Sequence, residues 1–268
     1  MSSLLYVRAA GRVLRSGGVS RASLRAPDDR LVFVFGCPRS GTTFLAGAIG
    51  AVPGFVDLGE VHPVKAAIPT LSRLEPAEAA VRLRRILDRV RRLGLVGSRR
   101  GVEQTPEISF VLPAVARAFP QATLVHALRD GRDVVCSLLE RGWLRRGRSG
   151  TDDAGGAYGP QARFWVEPGR EDEFEQRASD ARRAAWAWRR YVAAVRESGV
   201  DVHEVRYESL GEAAGPLAGA LGCEEGALAG ALGRAHSESI GRYRRELSPE
   251  ELEDVEAEAG PLLAATGY

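Results

Sequence analysis

The sequence predicts an α/β fold with a central, mostly parallel sheet covered by helices on both faces. Two observations carry that expectation. The stretches LVFVF at 31–35 and ATLVHALRD at 122–130 do not show the strict polar–apolar alternation of a half-exposed strand. They read as strands buried on both faces. Such runs then give way to glycine or polar turns and to segments of helical period, so strands and helices alternate along the chain.

Taken in order, LVFVF is the first strand, and Thr42 to Ala51 is the helix that follows its glycine turn. Residues 76–93 form an amphipathic helix. Pro76 stands at its start, Val81, Ile86, Leu87 and Val90 line one side, and Gly94 lies beyond its end. GVEQTPEISFVLPAVARAFP gives a short strand or loop and then a helix ending near Pro120. A second buried strand at 122–130 leads into the helix GRDVVCSLLER. Residues 144–170 show no periodicity, and a loop of that length is usually functional or disordered. A long helix from Phe174 to Glu197 carries Trp186 and Trp188, one expected on the sheet and the other partly exposed. VDVHEVRYESL is a further strand with its exit. His126 and His203 fall in buried-strand patterns. Ser248, Pro249 and Glu251 form a helix-start signature.

The turn after the first strand is informative. GCPRSGTT places Gly36 and Gly41 five residues apart, followed by Thr42 and Thr43. It follows the phosphate-loop pattern except that Thr42 stands where a lysine is usual, and Arg39 supplies a charge inside the loop. This makes the expected fold P-loop-like, in three layers. A strand, a glycine turn and a helix N-terminus form an anion site from backbone N–H groups and the helix dipole. Without the lysine, the loop suits a shorter anion than a triphosphate. In LVHALRDGRDVVCSLL, Arg129 ends a strand and Ser137 lies two turns into the next helix. Both belong at the C-terminal edge of the sheet, where open α/β sheets bind ligands. An arginine fork and a hydroxyl can share a second phosphate.

Together these stretches resemble the sulfotransferases that use PAPS (3'-phosphoadenosine 5'-phosphosulfate) and release PAP. CPRSGTTFL is similar to their 5'-phosphosulfate loop, and LRDGRDVVCSLL to their 3'-phosphate motif. VRYESL resembles the segment whose tyrosine lies near the adenine, here Tyr207. SIGRYRRELSPEEL resembles the C-terminal segment that closes over the nucleotide, which points to Gly241 and Arg242. The likeness runs from about residue 31 to the C-terminus. Arginine in PRSGTT is closer to the branch of tyrosylprotein sulfotransferases and many bacterial enzymes than to cytosolic aryl sulfotransferases. It implies PAPS as co-substrate, no metal, and Pro38, Arg39, Ser40, Gly41, Thr42, Thr43, Arg129, Ser137, Tyr207, Gly241 and Arg242 as nucleotide contacts. Arg39 is then the group that stabilises charge on the leaving phosphate.

The attacking hydroxyl needs a base within hydrogen-bond reach. Glu60 in FVDLGEVHP is the first candidate, because the tyrosylprotein branch carries its base in a Gly-Glu after this helix. His62 is the second and Glu103 in GVEQTP the third. That last segment resembles the family's Glu-Lys-Thr-Pro stretch with Gln104 in place of the lysine. His236 precedes the closing segment.

Residues 1–29 read as a basic N-terminal segment and 30–268 as a single domain. Residues 142–172 are expected to be an acceptor loop or lid, with Trp143, Tyr158, Phe164 and Trp165 available to stack. The acceptor is a hydroxyl-bearing molecule, expected to be small. A net charge of +2 gives no case for nucleic acid, although 36 of the 37 basic residues are arginine and Lys65 is the only lysine. The three cysteines have no metal-ligand spacing and no run suggests membrane insertion. A cytoplasmic setting is the simple expectation. The competing readings are a P-loop kinase or NTPase with a variant loop, and a non-catalytic nucleotide-binding protein.

Overall fold

The computed structural model describes residues 31–92, 99–144, 166–235 and 237–268. Five strands, β1 (Val32–Phe35), β2 (Phe55–Gly59), β3 (Arg100–Glu103), β4 (Thr123–Leu128) and β5 (His203–Arg206), form one sheet in the order β2-β3-β1-β4-β5. Every neighbouring pair is parallel. The described helices are α1 (Thr42–Gly50), α2 (His62–Leu71), α3 (Pro76–Arg92), α4 (Leu112–Ala118), α5 (Gly131–Arg141), α6 (Glu171–Glu175), α7 (Asp180–Glu197), α8 (Ala214–Leu221), α9 (Glu225–Leu232), α10 (Tyr243–Glu246) and α11 (Pro249–Ala265).

Alternation along β1 divides the core. Val32 and Val34 meet Val102, Val125 and Val205 on one face, under α1, α8 and α9. Leu31, Phe33 and Phe35 point the other way, with Val56 and Leu58, into α2, α3 and α4. Leu128 joins a third cluster built from α5, α7 and α11. The four residues of β1 are fully buried. Each such side chain contributes roughly 1.5–3 kcal/mol relative to exposure. The central strand is thereby fixed, and with it the turn that leaves its C-terminal end.

Several sequence expectations need correction. On α3 the inward face is Ala79, Ala80, Leu83 and Leu87, while Val81 is 50% exposed. Residues four apart share a face, and Val81 stands on the far side of the helix from Leu83. Val90 lies outside the described side chains. The long helix expected from Phe174 is two helices, α6 and α7. Ser179 separates them because its side chain caps α7, accepting from the Arg182 N–H at 3.0 Å. Both Trp186 and Trp188 are buried rather than one of them. Trp186 packs on Phe174 and Trp188 on Gly131, where a Cβ would fall 2.7 Å from the indole. His203 is exposed, since β5 is an edge strand. The Ser248 start signature is a complete capping box on α11. No described helix is long and apolar enough to cross a membrane.

Candidate active site

β1 lies between β3 and β4, so its C-terminal turn opens beside the end of β4. Gly36 has φ +144°, and a Cβ there would stand 2.3 Å from the Ala127 carbonyl oxygen, which only glycine avoids. Gly41, at φ +88°, precedes α1, and no side chain caps that helix. The first-turn N–H groups therefore face the loop and favour an anion. Arg39 has φ +77° and is the only described non-glycine residue with positive φ. Such a conformation costs roughly 1–3 kcal/mol and is held by its surroundings. Here the Ser40 N–H donates to the Cys37 carbonyl at 3.0 Å.

Arg39 links the two predicted anion positions. Its Nε donates to Ser137 Oγ at 2.8 Å, and its carbonyl accepts from Arg129 Nη1 at 3.2 Å. Arg129 also donates from Nη2 to the Ser239 carbonyl. The Arg129 Nε is buried and has no hydrogen-bond partner among the described residues. Trp188 fixes the strand end by donating to the Arg129 carbonyl at 3.0 Å. Tyr207 lies beneath, with the Arg129 guanidinium 4.8 Å from its ring centroid. A Cβ on Gly41 would fall 2.5 Å from the same ring. Burial lowers the Arg39 pKa, and repulsion from Arg141 and Arg129 adds to it. Cations held close enough to repel form a site that gains stability from a bound anion.

The C-terminal segment is tied to this edge by Asp133. That buried carboxylate accepts from the Gly241 N–H at 2.7 Å and the Tyr243 N–H at 3.1 Å. Arg242 stands at the rim, paired with Glu246 and Glu140. Its hydrogen bond to Glu246 is the main cause of a raised pKa.

A second part of the cleft opens over β2 and β3. A cavity of about 80 Å³ is lined by Pro38, Arg39 and Thr43 on the loop side and by Glu60, Lys65 and Gln104 opposite, with Trp143 at its edge. Glu60 follows Gly59 at the end of β2, and its side chain is 29% exposed. Its Oε2 accepts from Lys65 Nζ at 2.9 Å. Lys65 is 4% exposed and stands 4.0 Å from Glu107 Oε1. Gln104 donates to Thr42 Oγ1 at 3.0 Å and accepts from Thr43 Oγ1 at 3.3 Å. The Arg39 guanidinium lies 5.6 Å from the Trp143 ring centroid.

The three base candidates occupy different positions. Glu60 lines the cavity, while His62 opens α2 and is not among the lining residues. Glu103 is fully buried and accepts from the Val61 N–H at 3.2 Å and the Thr105 N–H at 3.1 Å. Burial drives its pKa up to about 8. It braces the Glu60–Val61 turn rather than facing the cleft. Tyr158, Phe164, Trp165, His236 and the N-terminal segment lie outside the described residues. Among the described residues no group of carboxylates, histidines and cysteines could hold a metal ion.

Sequence reasoning did not assign Lys65, Glu107 or Asp133 to this site. Lys65 had one available signal, its being the only lysine. The roles of Glu107 and Asp133 depend on contacts between segments distant in the chain.

No protein-family model matches the chain, and no curated protein is similar in sequence. Its architecture does match solved structures. The sulfotransferase domain of the Synechococcus PCC 7002 olefin synthase superposes with a TM-score of 0.51 at 16% identity, covering 85% of this chain and 94% of that one. Sulfotransferase STF9 from Mycobacterium avium superposes with a TM-score of 0.53 at 16% identity, covering 97% of this chain and 80% of that one. The class these likenesses define is the sulfotransferase-like α/β fold. At such identity they establish the fold alone.

Proposed function

We propose that the protein transfers the sulfuryl group of PAPS to a hydroxyl group of an acceptor. The observation that carries this reading is the double role of Arg39, which joins the glycine loop to both Ser137 and Arg129. Two anion positions meet at one residue, as a nucleotide with separate 5' and 3' anions requires. The residues fit such a ligand. The uncapped start of α1 offers N–H donors for the 5' group, and the buried Arg129 Nε offers a donor for the 3'-phosphate. The bonds that Arg129 and Arg39 make to Ser239 and Ser137 are those phosphate oxygens would replace. Tyr207, held against Gly41, gives a flat surface for the base.

PAPS supplies an activated sulfur–oxygen bond. The acceptor oxygen attacks sulfur in line, and the bond from sulfur to the 5'-phosphate oxygen breaks with its electron pair leaving on the phosphate. The acceptor proton passes to Glu60, the base candidate that lines the cleft. Arg39 and the loop N–H groups face the charge that builds on the leaving oxygen. A preorganised donor of this kind is typically worth a factor of about 10²–10³ in rate.

Thermal unfolding with PAP or with ATP and magnesium tests this reading. At 100 times its dissociation constant a ligand stabilises the native state by about 2.7 kcal/mol. PAP is expected to raise the melting temperature without metal, while ATP with magnesium leaves it nearly unchanged. Stabilisation by ATP with magnesium alone would favour the kinase or NTPase reading.

A further inference from the structure

We propose that Lys65 is a positioning residue for the Glu60 base, resting on the sulfuryl-transfer reading above: its ammonium orients the Glu60 carboxylate, and its charge is unmasked when Glu60 takes the acceptor proton. Lys65 comes from α2, where the sequence motifs pointed only to His62. It is the only lysine among 37 basic residues, in a chain that otherwise meets every need for positive charge with arginine. An ammonium is a compact point charge on a flexible stem, whereas a guanidinium is a broad planar fork. The space between Glu60 and Glu107 accommodates the former, at 2.9 Å from one carboxylate and 4.0 Å from the other, with the side chain 4% exposed.

The ion pair divides the two oxygens of Glu60. Lys65 engages Oε2, so Oε1 is the atom that can meet an acceptor hydroxyl in the cleft. In the resting site Lys65 stands between the carboxylates of Glu60 and Glu107. When Oε1 takes the proton, Glu60 becomes neutral and its hold on Lys65 weakens. The positive charge of Lys65 is then less compensated while negative charge passes from the acceptor through sulfur to the leaving phosphate oxygen. Gln104, which stands where the resembling motif has a lysine, is neutral and bonded to Thr42 and Thr43, so it cannot supply this charge. Among the described residues, the other ionisable groups around the pair include Arg39 and Cys37 from the loop, Glu103 from β3, Glu107 after it, Tyr191 from α7 against Glu107, and His62 three residues before Lys65.

A chain with one lysine permits a direct test. Protein grown on labelled lysine carries a single labelled side chain, whose ammonium and adjacent methylene signals can be followed by NMR as pH is lowered. A step in the Lys65 signal is expected when the Glu60 carboxylate beside it is protonated. It should vanish in Glu60→Gln and persist in His62→Asn. A step unchanged in Glu60→Gln would overturn the proposal, because Lys65 would then be reporting another group.

In transfer assays, Lys65→Met should lower turnover roughly 10²-fold, the scale of a misplaced reacting group. The loss should fall on kcat with the acceptor KM near wild type, since Lys65 orients Glu60 and touches no substrate. Lys65→Arg should recover only part of the turnover, because its broad planar fork does not fit the space between Glu60 and Glu107. PAP affinity should be retained in both variants, which also shows that they fold. Unchanged turnover in Lys65→Met, or a loss of turnover accompanied by an equal loss of acceptor binding and of melting temperature, would assign Lys65 to packing and overturn the proposal. Failure of the wild-type chain to bind PAP would instead overturn the underlying reading, and the NMR step, which needs no nucleotide, distinguishes the two failures.

Discussion

The two halves of the cleft are built differently. Over β1 and β4, the proposed anion site arises largely from contiguous chain: a buried strand, a glycine turn and a helix start, with Arg129 and Ser137 supplied by one further strand–helix unit. Over β2 and β3, the proposed acid–base half is assembled from single residues. Glu60 ends β2, Lys65 comes from α2, Gln104 follows β3, Glu107 sits in a 3-10 turn and Trp143 follows α5. The first half takes its position from backbone geometry, which a glycine pattern specifies. The second depends on long-range packing, so single substitutions there should separate chemistry from nucleotide binding.

The largest expected effect lies in the second half. Glu60→Gln keeps the shape of the side chain and removes its capacity to accept a proton. Turnover should fall by roughly 10²–10⁴, with PAP affinity near wild type. His62→Asn, measured in parallel, should keep most of its turnover. The opposite ranking would move the base to His62, and a joint loss of PAP affinity and melting temperature in Glu60→Gln would mean that Glu60 only supports the loop.

A smaller effect sharpens the distinction between Glu60 and its buried neighbour. Glu103 holds its proton up to about pH 8 in the native state, against an ordinary value of 4.5. Between those pH values the native state binds more protons than the unfolded state, so stability falls as pH rises. The slope contributed by one such group is at most about 1.4 kcal/mol per pH unit. Unfolding experiments from pH 5 to pH 8 should show this decline in the wild type and a flatter profile in Glu103→Gln. An identical slope in both proteins would show that the bonds to Val61 and Thr105 already favour the charged form.

The fold was legible in the sequence because its central strands are uninterrupted apolar runs and its turns are marked by glycine. The helix ends were legible where capping chemistry is local, as at Ser248, and less so where one cap breaks a continuous helical pattern, as at Ser179. Exposure was harder to read. Val81 sits in an apolar pattern, but the buried stripe is set by Leu83 and Leu87. Trp188 is buried because Gly131, far away in sequence, leaves room for it. In the cleft, the loop residues could be nominated from spacing and Glu60 from the family resemblance. The Glu60–Lys65 pair and the Asp133 tie to Gly241 could not, since both depend on how separate segments meet.

The central claim is that two anion positions, one at the loop and one at Arg129 and Ser137, serve a single nucleotide. Calorimetric titration of wild type, Arg129→Ala and Ser137→Ala with PAP and with adenosine 5'-phosphosulfate, which lacks the 3'-phosphate, tests it most directly. A charge-assisted hydrogen bond is worth about 1.5–3 kcal/mol, so Arg129→Ala should weaken PAP binding roughly 10- to 100-fold, and Ser137→Ala by less. Adenosine 5'-phosphosulfate should lose less affinity than PAP in both variants, since it lacks the phosphate that Arg129 and Ser137 would hold, although both residues also touch Arg39. Equal losses for the two ligands would contradict the account and reduce Arg129 and Ser137 to supports of the fold.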